Sequence, residues 1–355
     1  MNPSNLDYAT RSLPRPANRW LHRFAILVAV ATFVLIIAGG LVTSTGSGLS
    51  VPDWPTTYGH NMFTFPWSQW VGGIRFEHSH RLIASTVGFL TIVLCIWLWR
   101  REPRRWLCWL GTAALLAVIT QGVLGGLTVL YLLPTPISVL HGCLAQMFLC
   151  MVVSIAVFTS PRWTAQPKLE PAINAGAPQK WALLLTLGIF GQLILGAVMR
   201  HTESGLAVPD FPRAYGQWAP DLGESAIDRY NEQRRFEMLL PVVTREQIVY
   251  HLAHRAGAIA VAILVLAVAG RMLRDHGRLA SLRRPAVLLM VLLAVQIALG
   301  AWTVWSEKSA LIATAHVAIG AAMLATAWVL TLRCYRDVAP IRQEQLEFDL
   351  ARSAV

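Results

Sequence analysis

Long apolar runs alternate with short polar stretches along this chain. Eight stretches are almost wholly apolar: 24–44, 78–99, 107–130, 138–159, 181–199, 248–270, 286–305 and 311–332. Each has about the 20 residues that an α-helix needs to cross the hydrocarbon core of a bilayer. Most of the polar stretches between them are short; those at 45–77 and 200–247 are long. The pattern predicts an all-α integral membrane protein with eight transmembrane helices. An even number of spans puts both termini on the same side.

The pattern also repeats. Gly48-Leu49-Ser50-Val51-Pro52-Asp53-Trp54-Pro55 returns as Gly205-Leu206-Ala207-Val208-Pro209-Asp210-Phe211-Pro212, and each copy runs on to a Tyr-Gly, at Tyr58-Gly59 and Tyr215-Gly216. Glu77-His78-Ser79-His80-Arg81 returns as His251-Leu252-Ala253-His254-Arg255. The segment from Gln121 to Val129 is echoed by Gln296 to Val304, and His141 by His316. Each half then holds four spans in the same order, with its first connecting loop long and its second short. Two four-helix bundles related by a pseudo-two-fold axis along the membrane normal follow from that order. The expected organisation is an N-terminal tail (1–23), a first bundle (24–160), a linker (161–180), a second bundle (181–332) and a C-terminal tail (333–355). The second long loop is 17 residues longer than the first, since the repeat offset grows from 157 at Pro52/Pro209 to 174 at His80/His254.

Composition agrees with the hydropathy, and charge adds direction. The chain is 55% hydrophobic and only 14% charged, with a formal charge of +11. Of the 30 basic residues, 20 fall in the two tails and in 100–105, 160–180 and 271–284. The long loop 200–247 has six basic and eight acidic residues and so lacks this excess. The positive-inside rule then places both termini in the cytoplasm and both long loops outside. The basic residues form no cluster interleaved with aromatics, which argues against a nucleic-acid partner. The five cysteines form no CxxC motif and lie in or beside apolar runs, so neither a zinc ribbon nor covalent haem attachment is indicated.

The candidate chemistry lies in the repeated histidines. His80, His141, His254 and His316 all fall near the outer ends of their spans, two per half and at similar depth. Intramembrane histidines are costly and usually functional. Such a pair suits an iron porphyrin held edge-on between helices, with one imidazole on each face. Zinc is the competing metal, but neither half supplies a third good ligand on the facing helices. Three residues before His80 stands Glu77, on the same helix face, where a carboxylate accepts protons or holds a water. The bland alternative pairs Glu77 with Arg81 or Arg75. Three residues before His254 stands His251. Arg81 and Arg255 have two readings: ion pairs to haem propionates, or snorkelling to the outer headgroups. On residues alone, an electron-transfer cytochrome, a haem carrier and a proton-coupled transporter also remain open.

The Gly-Leu-x-Val-Pro-Asp-x-Pro loops, the Glu-x-x-His-Arg of span 2 and the His-x-x-His-Arg of span 6 together resemble haem A synthase, over roughly residues 20–335. The resemblance implies oxidation of the C8 methyl of haem O to a formyl group, by two hydroxylations and loss of water, to give haem A for terminal oxidases. It implies that His80 and His141 flank the substrate iron, with Glu77 as the catalytic carboxylate, and that His254 and His316 ligate a resident haem b. A doubly ligated substrate iron has no open position, so either one histidine leaves or the oxidation proceeds without it. The expected setting is the bacterial cytoplasmic (inner) membrane. The electron donor is unknown. Haem O synthase and oxidase assembly factors are partners by pathway logic, and exposed glycine faces offer surface for a homo-oligomer. Many bacterial relatives carry a cysteine pair in an outer loop. This chain has none there, and so resembles the cysteine-free branch.

Overall fold

The computed structural model describes residues 18–165, 170–171 and 178–339. All eight expected spans are helices: α1 (Arg19–Ser44), α2 (Ile74–Arg101), α3 (Arg105–Leu130), α4 (Thr135–Phe158), α6 (Pro178–His201), α8 (Arg245–His276), α9 (Ala280–Trp305) and α10 (Ala310–Asp337). Two further helices are α5 (Pro161–Thr164), in the linker, and α7 (Glu224–Phe236), in the second long loop. The α7 helix accounts for the extra residues of that loop. Glu170–Pro171 pairs in parallel with Val338–Ala339. Most of the N-terminal tail, much of the linker and residues 340–355 lie outside the described residues.

Most helices run past the apolar runs that reveal them. Hydropathy reports only the lipid-immersed part, whereas the backbone ladder continues until something caps it. Asn18 caps α1, its side-chain oxygen accepting from the N–H groups of Trp20 and Leu21 at 3.1 Å. Thr244 and Gln247 form a reciprocal capping box that starts α8 before its apolar run. Hydroxyls inside the spans are satisfied by their own helices: Thr32, Thr91, Thr186 and Thr331 each donate to the carbonyl four residues back.

Helices α1–α4 pack into one bundle, and α6, α8, α9 and α10 into another. The seam between them is reciprocal: α1 meets α10, and α4 meets α6. Helices α4 and α10 also touch across it. In each bundle the close-packed core occupies the end remote from the long loops. It is built from Leu94, Leu98, Leu107, Phe148 and Ile155 in the first, and from Leu185, Met272, Leu282, Leu289 and Leu330 in the second. Dispersion between well-fitted side chains holds such cores, because lipid tails are as apolar as leucine. The outer faces carry exposed Val30, Phe89, Ile92, Leu116, Ile119 and Ile263, an apolar girdle that only a bilayer covers. The loop end of each bundle is lined instead by glycines and histidines.

Candidate functional site

Each of the four repeated histidines is seated on a glycine of the preceding span. A Cβ placed on Gly39 of α1 would lie 3.0 Å from His80 Cε1, and one on Gly125 of α3 would lie 3.2 Å from His141 Cε1. In the second bundle the corresponding distances are 3.0 Å from Gly196 to His254 and 3.1 Å from Gly300 to His316. A methyl group would push each ring away, so the glycines fix how far the imidazoles stand from the helix wall. His80 on α2 and His141 on α4 hold the corresponding seats in the first bundle. His254 and His316 face each other with ring centroids 6.4 Å apart and planes at 70°. Two imidazoles that ligate one metal from opposite faces, each nitrogen about 2 Å from it, have ring centres about 6 Å apart. The second pair therefore fits a single iron between its rings.

The hydrogen-bond inventory agrees. Among the described residues, the Nδ1 atoms of His80, His141 and His316 are buried without a partner. Buried polar atoms in folded proteins nearly always have partners, so these nitrogens are open to a ligand. Gln192 lies 3.0 Å from His254 Nδ1 and donates to the His254 carbonyl at 2.8 Å. Its own Oε1 is buried and unpaired, and is the atom that accepts an Nδ1 proton if the amide turns. Gln121 donates to the His141 carbonyl at 2.9 Å, and Gln296 approaches His316 Nε2 at 3.4 Å. Among the described residues, no cluster of three or more His, Cys, Asp or Glu side chains is arranged to hold a metal ion by itself.

Glu77 and its counterpart His251 point at the loops. Glu77 is 3% exposed. It accepts the Val51 N–H at 2.8 Å and the Arg81 guanidinium at 2.7 Å. His251 Nδ1 lies 3.0 Å from the Ser204 carbonyl. Both side chains thus pin the start of the long loop to the helix that carries the histidine. The first does so as a charged acceptor, the second as a neutral donor. His78 faces away from the histidine pair, toward Thr57 at 3.2 Å and the rings of Phe65 and Trp70.

The arginines clamp the same loops. Arg81 donates to the carbonyls of Asp53 at 2.7 Å, Val51 at 2.9 Å and Thr56 at 3.0 Å, besides Glu77. Arg255 donates to the carbonyls of Arg213 at 2.8 Å, Val208 at 3.4 Å and Asp210. Within the described structure these guanidinium groups therefore reach loop carbonyls, a set of partners that the sequence did not disclose.

The loops repeat atom for atom. Asp53 accepts from the N–H groups of Tyr58 at 2.7 Å and Gly59 at 2.9 Å, and Asp210 from those of Tyr215 and Gly216 at the same distances. The Tyr58 and Tyr215 hydroxyls reach the carbonyls of Ser50 and Ala207, each at 2.6 Å. Burial acts to raise the Asp53 pKa, but the bonds from Gly59, Thr56 and Tyr58 outweigh it and hold the carboxyl below its usual range. Gly59 and Gly216 supply the positive φ of the turn, at 74° and 75°.

The loop covers differ between halves. In the first, the Trp54 ring lies on Gly126, where a Cβ would come within 2.5 Å of it. Phe65 and Trp70 pack on His78, and Trp67 stacks on Trp70. In the second half the smaller Phe211 stands where Trp54 does, and Ala301 where Gly126 does. There α7 supplies the cover: Tyr230 stacks on Tyr215 at 3.9 Å, and buried Arg234 donates to the carbonyls of Leu206 and Pro241, both at 2.8 Å.

Sequence reasoning located all four histidines, Glu77 and both arginines. It gave no role to Gln121, Gln192 and Gln296, and none to the glycines as seats for the histidines. The echo of Gln121 by Gln296 in the repeat was the available signal. It also overlooked Arg200 of α6, which donates across the seam to Gly40 O at 2.7 Å and Ser44 Oγ at 2.6 Å.

The chain matches the family model described as cytochrome oxidase assembly protein over residues 22–71 and 73–328. A protein of Halalkalibacterium halodurans named heme A synthase is 27% identical over 326 residues, covering 91% of this chain and 99% of that one. One of the same name from Rhizorhabdus wittichii is 26% identical over 348 residues, covering 89% and 94%. One from Shouchella clausii is 29% identical over 216 residues, covering 59% and 69%. The family match runs from the first span into the last and contains both histidine pairs, both loop clamps and Glu77, so the chain belongs to the cytochrome oxidase assembly protein family.

Proposed function

We propose that this protein is a haem A synthase of the bacterial cytoplasmic membrane, with both termini in the cytoplasm and the histidines toward the outer face. It takes haem O and oxidises the C8 methyl to a formyl group through two hydroxylations and loss of water. One observation carries the reading. The same histidine pair is built twice, and only the first bundle places a carboxylate, Glu77, where the second has His251. A site for chemistry and a site for a resident cofactor differ in this way.

In this reading His80 and His141 flank the substrate iron, and Glu77 is the group that accepts protons beside it. Its ion pair with Arg81 ties the proton acceptor to the loop over the site, so that loop position and carboxylate charge change together. His254 and His316 hold haem b, which supplies electron transfer when bound. Arg81 and Arg255 serve the two haems through the loops they clamp. The electron donor, haem O synthase and the oxidase assembly factors are partners by pathway logic.

Membranes co-expressing the chain with a haem O source provide the test, with extracted haems separated by chromatography. Wild type yields haem A, and Glu77→Ala stops at haem O or the alcohol while keeping haem b. Wild type that yields only haem b and unchanged haem O overturns the proposal in favour of an electron-transfer or carrier role.

A further inference from the structure

A groove of about 740 Å³ opens on the lipid-facing side of the seam, with walls from α1, α4 and α10. It lies at the end remote from the histidines and therefore does not belong to the site above. Along α1 it runs from His22 to Phe33. That is about 16 Å of helix rise, close to the depth of one leaflet of a bilayer whose core is about 30 Å thick. Its deep part is apolar, ending near Phe33 and Leu149. Its mouth carries Arg162 and Arg333, with Ser160 beside them, and no Asp or Glu lines it.

Neither arginine is in an ion pair among the described residues. Arg333 instead rests near the Trp163 ring, 5.6 Å from its centre. Asp337, at the end of α10, is taken by Arg336 at 2.9 Å. Two guanidinium groups with no ion-pair partner among the described residues thus stand at headgroup level above a leaflet-deep apolar slot, with Asp337 adding a longer-range attraction to Arg333. They stand at the end of the bundle where the basic excess of the sequence also lies. A guanidinium pair matches phosphate oxygens, and a neutral ring or chain leaves it unanswered.

We propose that this groove is a binding site for an anionic phospholipid of the cytoplasmic leaflet, its phosphate on Arg162 and Arg333 and an acyl chain between α1, α4 and α10. The lipid seals the seam between the two bundles.

The test uses the full chain in nanodiscs of equimolar phosphatidylglycerol and phosphatidylcholine, followed by native mass spectrometry of the lipids that stay bound. Wild type retains phosphatidylglycerol over phosphatidylcholine by roughly 30-fold, the preference expected of two basic groups at an anionic surface. Arg162→Gln with Arg333→Gln abolishes the preference, while Arg100→Gln with Arg101→Gln, on the same end but outside the groove, keeps it. Ala325→Trp fills the slot with both arginines intact and lowers retention of either lipid, so the proposal stays testable should the double variant misfold. Equal retention of the two lipids by wild type, an unchanged preference in the double variant, or a neutral quinone or prenyl chain found in the groove overturns it.

Discussion

The two bundles share a scaffold and differ in the groups placed on it. Glycine seats and loop turns recur with nearly identical distances, and the arginine clamps reach the same three carbonyl positions in each copy. The differences are concentrated at three points: Glu77 against His251, Trp54 on Gly126 against Phe211 on Trp305, and an aromatic shelf against the α7 helix. At the second of these the repeat positions of Trp54 and Gly126 are held by Phe211 and Ala301, a smaller ring and a larger backbone neighbour. The comparison teaches that the repeat keeps the placement of the histidines while the groups beside them change. A buried carboxylate stands at this position in one copy only. Its cost is met there by an arginine and a backbone N–H.

The sharpest way to break the comparison is to remove one histidine from each half. Under the proposed assignment, His316→Ala loses nearly all bound haem b. His141→Ala keeps haem b and abolishes haem A formation. Haemochrome spectra and chromatography of extracted haem distinguish the two, and a reversed result exchanges the roles of the bundles. Next in size is the pair Glu77→Gln and His251→Gln. The first keeps an acceptor for Val51 N–H but removes the charge, and haem A formation should fall about 100-fold, the usual worth of a positioned proton acceptor. The second should leave haem A formation intact and lower stability by about 1–3 kcal/mol, read as a melting shift. Equal losses of haem A formation in both would make Glu77 a loop pin only.

The glycine seats come third. Gly39→Ala and Gly196→Ala each place a methyl 3.0 Å from a histidine carbon. Overpacking of about 1–3 kcal/mol translates into roughly tenfold weaker haem retention in the affected half. Gly122→Ala and Gly191→Ala, which meet nothing within 4 Å, serve as the neutral controls. The smallest effect concerns the clamps. Arg81→Lys should loosen its loop by about 1 kcal/mol more than Arg255→Lys does, because Arg81 also holds a carboxylate. Hydrogen exchange of residues 50–60 and 207–217 reads the difference.

The spans and the duplication are legible in sequence because lipid imposes a long apolar signal that few other contexts require. The histidines stand out for the same reason, as polar residues where polarity is costly. The surroundings of Glu77 were legible in part. Helical spacing put it on the face of His80 and offered Arg81 as its ion-pair partner, which it is, but its second partner is a backbone N–H 26 residues upstream, which no side-chain pattern announces. The α7 helix escaped because its buried face is only Ala226, Tyr230 and Arg234, and a buried arginine breaks the apolar periodicity that reveals a helix. The glycine seats were visible as repeated glycines, but what rests on them belongs to the next helix.

The reach of the hydrogen bonds has a consequence for how such a chain is made. Arg81 closes on residues no more than 30 positions behind it, and Gln121 meets the His141 carbonyl 20 positions ahead. The contacts across the seam are of another order: Arg200 to Gly40, Trp328 to Ser154 and Thr314 to Ser44 span 160, 174 and 270 positions. A ribosome delivering this protein to the membrane releases a first bundle that can lock its loop and seat its histidines before the second bundle has been translated. Joining the two bundles is then the last event of biogenesis.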